Sequence, residues 1–236
     1  MYARTAGLSG TAVIIDFKNF YIMATINLQD LREELKSAQS KEELEELTLR
    51  LLKKIEHRYL PLHVLAEEGN TDVLERLDFI VKTANGSILD IGCHDGFYAI
   101  ELAKRGHKVV GLDMLQLCID YAQERARKIS GIETGFVKGF AEDLSFPDNE
   151  FDTTYLSHTL EHVFDERKSL EEAARVTKNQ GKLVVIVPTK LGNDPTHLRF
   201  IPSNDLKKML MKYGWTSEEF NVGKGIGYVC TISRHS

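Results

Sequence analysis

The chain has 236 residues, enough for one sizeable α/β domain with an additional segment or for two small domains. Hydrophobic residues make up 42% of the chain and charged residues 28%, as in an ordinary water-soluble globular protein. The formal net charge of −5 gives no sign of the basic surface that binding of nucleic acid usually requires, so nucleic acid is not an expected partner. The 3 cysteines are widely spaced, which favours a reducing cytoplasm over a disulfide scaffold or a cysteine-rich metal site.

The most apolar part of the N-terminal region is TAVIIDFKNFYIMA, residues 11–24. Charged residues interrupt it, and it is too short to span a bilayer. No small-residue cleavage site follows it. We interpret this segment as a strand or a docking segment, and we expect a cytoplasmic protein without a membrane span.

Residues 28–84 have a helical and strongly charged pattern. Ser40 and Glu43 match a capping box, and the leucines that follow at spacings of three and four predict a helix with one apolar face. DVLERLDFIVKTA predicts a second helix, which the Asn-Gly pair at 85–86 closes. We therefore assign residues 1–85 to an N-terminal strand and helical extension. A cap, an active-site lid and a homodimer interface remain open as its role.

Residues 86–236 form the second region, in which short apolar runs alternate with helical patterns. The predicted strands are SILDIG, HKVVGLD, TGFVKG, FDTTYL and KLVVIV. The predicted helices between them are FYAIELAKRG, LQLCIDYAQERARKIS and SLEEAARVTKNQG, with Gly106 and Gly181 as C-caps. Such alternation predicts an α/β fold with a mostly parallel sheet and helices on both faces.

The last part of the chain has a different pattern. NDLKKMLMKYG predicts one more helix, and SEEFNVG and GYVCTISR are strand-like runs that flank a glycine-rich turn. Together they predict a C-terminal antiparallel hairpin.

A glycine-containing turn, DIGCHDG, follows the first strand of this domain. In open α/β sheets ligands bind beyond the carboxyl ends of the strands, so Gly92 and Gly96 are placed where a backbone approaches a ligand. The turn lacks the dinucleotide pattern G-x-G-x-x-G, because His94 and Phe97 stand where glycines are needed. An NAD-dependent enzyme is therefore disfavoured.

Asp113 stands at the carboxyl end of the second strand, 17 residues after Gly96. An acid at this position is well placed to accept hydrogen bonds from the two hydroxyls of a ribose. It is equally suited to cap the helix that begins near Leu115. The residue alone leaves both roles open.

Four segments, ILDIGCHDG, VVGLD, FAEDLSFPDNEFDTTYLSHTLEHV and LEEAARVTKNQGKLVVIVP, together resemble class I S-adenosylmethionine-dependent methyltransferases. The group most similar to them is the type 11 family, which includes enzymes of ubiquinone and menaquinone biosynthesis. The resemblance covers roughly residues 86–190. It implies a Rossmann-like sheet, S-adenosylmethionine as cofactor and S-adenosylhomocysteine as product.

The resemblance also implies roles for individual residues. The methionine and ribose parts of the cofactor would contact Asp90, Gly92, Gly96, Asp113 and Ser157, and the adenine would contact Met114, Ala141 and Glu142. The sequence departs from the family pattern at His94, Phe97 and Phe140, which leaves individual contacts to the methionine carboxylate and the adenine open.

HTLEH, residues 158–162, follows the fourth predicted strand. The H-x-x-E-H spacing is also that of inverzincin zinc proteases, so a zinc hydrolase that uses His158 and His162 is one alternative. No third ligand stands out, and the resembling family has a similar string without zinc, so we predict no metal site. We expect His158 to act as the catalytic base and Glu161 to orient it.

The sequence therefore predicts methyl transfer from S-adenosylmethionine to a small or medium-sized acceptor. The long loop 189–202 contains His197 and Arg199, which are candidates for meeting that acceptor. A catalytically silent cofactor-binding protein on the same fold is the second alternative.

Overall fold

The computed structural model describes residues 33–54, 61–190, 196–213 and 215–233, and two pairs of residues nearer the N-terminus. Those pairs are strands β1, Ala3–Arg4, and β2, Val13–Ile14, which pair in antiparallel fashion. Most of the predicted segment 11–24 lies outside the described residues. Among the described residues, no helix is long and apolar enough to cross a membrane.

Residues 33–36 are helical, and the helices described in full before the main sheet are α1 at Lys41–Lys54, α2 at Leu62–Glu67 and α3 at Thr71–Thr83. The predicted capping box is present at the start of α1 in modified form, because the carboxylate of Glu43 bonds the residue before Ser40. The hydroxyl of Ser40 accepts from the N–H of Glu43 at 3.1 Å, and the carboxylate of Glu43 accepts from the N–H of Gln39 at 2.7 Å. The sequence analysis missed α2, because 6 residues are too few to show a helical period.

A seven-stranded sheet forms the rest of the fold, in the order β5-β4-β3-β6-β7-β9-β8. Its strands are β3 Ser87–Ile91, β4 Lys108–Asp113, β5 Thr134–Lys138, β6 Phe151–Ser157, β7 Thr177–Pro188, β8 Thr216–Val222 and β9 Gly225–Thr231. The accompanying helices are α4 Phe97–Ala103, α5 Gln116–Arg127, α6 Glu166–Val176 and α7 Ser203–Lys212. β3 to β7 are parallel, and β8 and β9 form the antiparallel hairpin. The predicted fold class is confirmed.

Both faces of the sheet are covered. Successive residues of β3 enter different hydrophobic clusters, since Ile88 belongs to one and Leu89 to the other. Val184 and Val185 of β7 alternate in the same way. Strands buried on both faces read as continuous apolar runs, which is why they were visible in the sequence.

The end of α6 was predicted wrongly. The helix ends at Val176, and Thr177 already belongs to β7. The buried hydroxyl of Thr177 donates to the carbonyl of Ala173 at 2.6 Å and lies 2.7 Å from the hydroxyl of Thr154 on β6. Gly181 therefore lies inside the strand, where a Cβ would meet backbone oxygens at 2.8 and 2.9 Å, and it is no helix cap. Gly106 does follow α4 in a left-handed conformation, with φ of 90°.

The extension and the sheet share one hydrophobic cluster. Val73 and Ile80 of α3 are buried in the same cluster as Ile88. The hydroxyl of Tyr155 on β6 donates to the carbonyl of Ile80 at 2.8 Å. The last helix of the extension is thus packed onto the sheet close to β3, whose carboxyl end lies where the strand order reverses.

Candidate active site

The loop between β3 and α4 lies at the reversal of strand order, between β4 and β6. The N–H groups of Gly92 and Cys93 donate to the carbonyl of Leu112 on β4 at 2.7 and 2.9 Å. Gly92 has φ of 78°, and a Cβ there would lie 2.6 Å from the Thr159 side chain. Gly96 has φ of 70°, and a Cβ there would clash with Phe136 at 2.8 Å. Both glycines are required by conformation and by close packing.

Asp90 lies in β3, two residues before Gly92. Its side chain is buried, and among the described residues its Oδ2 atom has no hydrogen-bond partner. Burial, together with the charges of Asp113 and Asp95, raises the pKa of Asp90 to about 7. A buried carboxyl oxygen without a donor is costly in a folded chain, so this oxygen is a candidate ligand contact.

The carboxylate of Asp113 accepts hydrogen bonds from two backbone groups of the protein and can accept more. Its carboxylate accepts from the N–H of His94 at 3.0 Å and from the N–H of Leu115, just before α5, at 2.9 Å. Burial raises the pKa of Asp113 despite these two bonds, which act to lower it. A carboxylate offers about four acceptor sites, so the capping role and the ribose role are compatible.

Asp95 is a site residue that the sequence analysis missed. Its carboxylate lies 2.6 Å from Nδ1 of His63, accepts from the N–H of His63 at 3.1 Å and pairs with Arg125 at 3.2 Å. Burial acts to raise its pKa, but hydrogen bonds from His63 and His94 and the charge of Arg125 hold that pKa well below its usual range. These partners are distant in sequence, so no local motif could have revealed them.

Ser157 ends β6 beside this loop, and His158 follows it. The hydroxyl of Ser157 is buried, and it has no hydrogen-bond partner among the described residues. His158 has φ of 55°, and its N–H donates to the carbonyl of Ile186 at 2.8 Å. The next residue, Thr159, donates from its hydroxyl to the carbonyl of Ile91 at 2.8 Å, which fixes the end of β6 against the end of β3.

The structure brings together the two predicted catalytic residues. Nδ1 of His158 lies 3.5 Å from Oε1 of Glu161, whose side chain is completely buried. Positive φ at a histidine is uncommon and recurs at functional positions. Residues 158–164 form turns and bends, so HTLEH is not helical.

A third residue joins Glu161 and His162, and it is His197 rather than His158. Ligand atoms of Glu161, His162 and His197 lie within 4.8 Å of one another. Nε2 of His197 lies 3.9 Å from Oε1 of Glu161, and the two imidazole rings stand edge to face, with centroids 4.7 Å apart. The pairing of His158 with His162 that the zinc alternative assumed is not the one that the fold brings together.

The predicted adenine side is less well defined. Ala141 is buried and Met114 is half-buried. Oε1 of Glu142 accepts from the N–H groups of Phe164 and Asp165 at 2.8 and 3.2 Å, ahead of α6. The carboxylate of Glu142 therefore holds the start of α6 in place. Backbone groups around Ala141 and Glu142 are left for contact with a ligand.

Arg199 also bonds groups of the protein itself. Its guanidinium contacts the carboxylate of Glu166 at 2.5 Å and donates to the carbonyl of Phe164 at 3.1 Å. Arg199 thus ties its loop to the start of α6.

Known proteins that resemble this chain include methyltransferases. Residues 89–185 match a family model described as a methyltransferase domain. The chain is 32% identical over 121 residues to the uncharacterized methyltransferase YcgJ of Bacillus subtilis, covering 48% of this chain and 46% of the relative. It is 31% identical over 114 residues to the ubiquinone biosynthesis O-methyltransferase of Alkalilimnicola ehrlichii, covering 46% of each. The chain thus spans about half the length of these relatives.

Solved structures give a similar result. The crystal structure of YcgJ from Bacillus subtilis superposes with a TM-score of 0.56 at 25% identity, covering 63% of this chain and 71% of that one. The [4+2]-cyclase SpnF superposes with a TM-score of 0.55 at 26% identity, covering 63% and 59%.

Residues 89–185 thus match a methyltransferase domain family, and the fold is that of class I methyltransferases. The cofactor that this family implies is S-adenosylmethionine. The residues present fit that cofactor, because a buried carboxyl oxygen and a buried hydroxyl, neither with a partner among the described residues, adjoin a glycine loop at the strand-order reversal.

Proposed function

We propose that this protein transfers a methyl group from S-adenosylmethionine to a small or medium-sized acceptor and releases S-adenosylhomocysteine. The observation that carries the proposal is the buried Oδ2 atom of Asp90, which has no partner among the described residues at the point where the strand order reverses. The methionine ammonium of the cofactor is a donor that would satisfy it.

Each predicted cofactor contact has a physical basis in this arrangement. Asp113 has acceptor capacity left for the two ribose hydroxyls, and Gly92 and Gly96 permit the left-handed conformations and close packing that shape the loop. Ser157 supplies a hydroxyl from the adjacent strand. The half-buried Met114 offers an apolar surface for the adenine, and the backbone around Ala141 and Glu142 offers hydrogen bonds to its edge.

The chain's own contribution to the reaction is alignment and proton removal. When bound, the cofactor supplies a methyl group on a sulfonium, which the acceptor's electron pair displaces from sulfur. His158 accepts the proton that the acceptor loses, and Glu161 stabilises the imidazolium through the nearby Nδ1 atom. Positioning of the acceptor supplies much of the remaining rate enhancement.

The acceptor is proposed to be a small molecule. The net charge of −5 disfavours a nucleic acid, and one relative is named for ubiquinone biosynthesis and O-methylation. A cytoplasmic location and dimerisation through the N-terminal helices remain predictions.

Calorimetric titration with S-adenosylmethionine and S-adenosylhomocysteine tests the cofactor site. We expect micromolar binding of both, and a loss of at least tenfold in Asp113→Ala. Asp120→Ala is the matched control, because Asp120 is exposed on α5 and bonds only its neighbour Gln116 among the contacts described. Absence of binding in the folded wild-type protein would refute the proposal.

A protein that binds the cofactor without methyl transfer is the second candidate. The similarity to SpnF favours keeping it, because that protein is named as a cyclase. Transfer of labelled methyl from S-adenosylmethionine to a panel of hydroxyl, amine and carbon acceptors separates the two. Cofactor binding without transfer to any acceptor class would favour the second candidate.

A further inference from the structure

The cluster of Glu161, His162 and His197 has the composition of a metal centre. Their ligand atoms lie within 4.8 Å of one another, and Glu161 and His197 are buried. Tetrahedral coordination at bond lengths near 2.1 Å separates ligand atoms by about 3.4 Å. The 3.9 Å between Nε2 of His197 and Oε1 of Glu161 is close to that value, so a small adjustment of side chains would close the site.

The tautomer of His162 favours coordination. Its Nδ1 atom lies 3.0 Å from the carbonyl oxygen of Thr196, which can only accept, so Nδ1 carries the proton. Nε2 then carries the lone pair. An imidazole whose other nitrogen donates to a backbone carbonyl is the usual arrangement of a metal-binding histidine.

The burial of Glu161 points the same way. Its side chain is completely buried, and its Oε1 atom lies 3.5 Å from Nδ1 of His158 and 3.9 Å from Nε2 of His197. Positive charge beside a buried carboxylate is favourable, so a divalent cation suits this position.

We propose that Glu161, His162 and His197 bind a divalent transition-metal ion of the zinc class. Two imidazole nitrogens and one carboxylate suit zinc, cobalt or iron, whereas magnesium and calcium prefer an all-oxygen set. The sequence analysis predicted no metal, because the third ligand stands 35 residues beyond His162 on a different loop.

The role of the ion rests on the proposed function. The site adjoins His158 at the end of β6, where the acceptor would meet the cofactor. A bound ion would polarise an acceptor hydroxyl and lower its pKa, which makes proton removal by His158 easier. In that case the acceptor is a compound with an oxygen that can bind a metal ion.

Titration of the tag-free, chelator-treated full chain with Zn²⁺, and with Co²⁺ as a visible-absorption probe, tests the site. We expect one equivalent of tightly bound ion and Co²⁺ bands typical of low coordination number. His197→Ala and His162→Ala should each weaken binding by at least about tenfold. His107→Ala, which changes a histidine outside the cluster, should bind like the wild type.

The same samples are titrated with S-adenosylhomocysteine, and their circular dichroism is recorded. Cofactor binding with no stoichiometric Zn²⁺ in the wild type would overturn the metal site and leave the proposed function standing. Equal Zn²⁺ affinity in the wild type and in both folded cluster variants would also overturn it. One equivalent of Zn²⁺ without cofactor binding would support the site and refute the proposed function.

Discussion

Nδ1 of His63 lies 2.6 Å from Oδ2 of Asp95, and this contact joins the N-terminal extension to the candidate cofactor loop. The backbone N–H of His63 donates to the same oxygen at 3.1 Å. The ring of Tyr121 on α5 lies 5.8 Å from the imidazole, centroid to centroid. Helix α2 is thereby held over the loop, as a cap or lid would be.

The first prediction concerns this contact. His63→Ala removes the side-chain bond to a buried carboxylate, which is worth about 1.5–3 kcal/mol. We expect faster amide hydrogen exchange in residues 61–70 and weaker binding of S-adenosylhomocysteine, by several-fold. Glu67→Ala changes an exposed residue of the same helix and is the control. If the two variants exchange and bind alike, the contact does not hold α2 against the loop.

Much of the fold was predictable because its signals are local. The strands β3, β4 and β7 are buried on both faces and form apolar runs, and α1 and α3 have clear helical periods. The start of β7 was not predictable, because Thr177 is fixed by contacts with Thr154, 23 residues away in the chain.

The candidate site was predictable only in part. Asp90, Gly92 and Asp113 stand next to strand ends, where α/β sheets bind ligands, so their positions followed from the pattern. The partners of Asp95 come from 32 residues before it and 30 after it. His197 likewise approaches Glu161 only in the folded chain, and the spacing of residues along the sequence does not predict such a contact.

The second prediction concerns the close packing at Gly92. Gly92→Ala puts a Cβ 2.6 Å from the side chain of Thr159 and forces a residue with a Cβ to φ of 78°. We expect a loss of about 1–3 kcal/mol in the free energy of unfolding and a marked loss of cofactor affinity. Denaturant titration measures the first. Gly135→Ala is the control, since nothing lies within 4 Å of a Cβ there; equal stability of the two variants would contradict the packing argument.

The third prediction is a pH dependence of stability that comes from Asp90. Its pKa is about 7 in the native state and about 3.9 in an unfolded chain. Between these values the native state holds a proton that the unfolded state has released, so the free energy of unfolding falls as pH rises. The slope that Asp90 contributes is at most about 1.4 kcal/mol per pH unit.

Denaturant titrations of the wild type and Asp90→Asn between pH 5 and 7 test this dependence. The asparagine variant should lose the Asp90 slope, so its stability relative to the wild type should increase toward pH 7. Asp95 does not interfere, because its lowered pKa confines its contribution to more acidic conditions. Parallel curves for the two proteins would show that Asp90 is ionised throughout.

The last prediction links the protonation of Asp90 to cofactor binding. At pH 6 the free protein holds Asp90 mainly protonated, because its pKa is about 7. S-adenosylmethionine carries a sulfonium and an ammonium, which favour the ionised carboxylate, so binding should release close to one proton at this pH. Affinity should therefore increase from pH 5.5 to pH 8. Calorimetry at pH 6 in buffers of different ionisation enthalpy counts the released protons.

Asp90→Asn cannot release this proton, so its binding enthalpy should be much less dependent on the buffer. Asp113 also has a raised pKa and lies close enough to influence Asp90, so Asp113→Asn is measured beside it. Proton release that persists in Asp90→Asn and disappears in Asp113→Asn would show that Asp113 is the group that loses the proton. Binding without proton release in the wild type would mean that the ammonium does not reach Asp90.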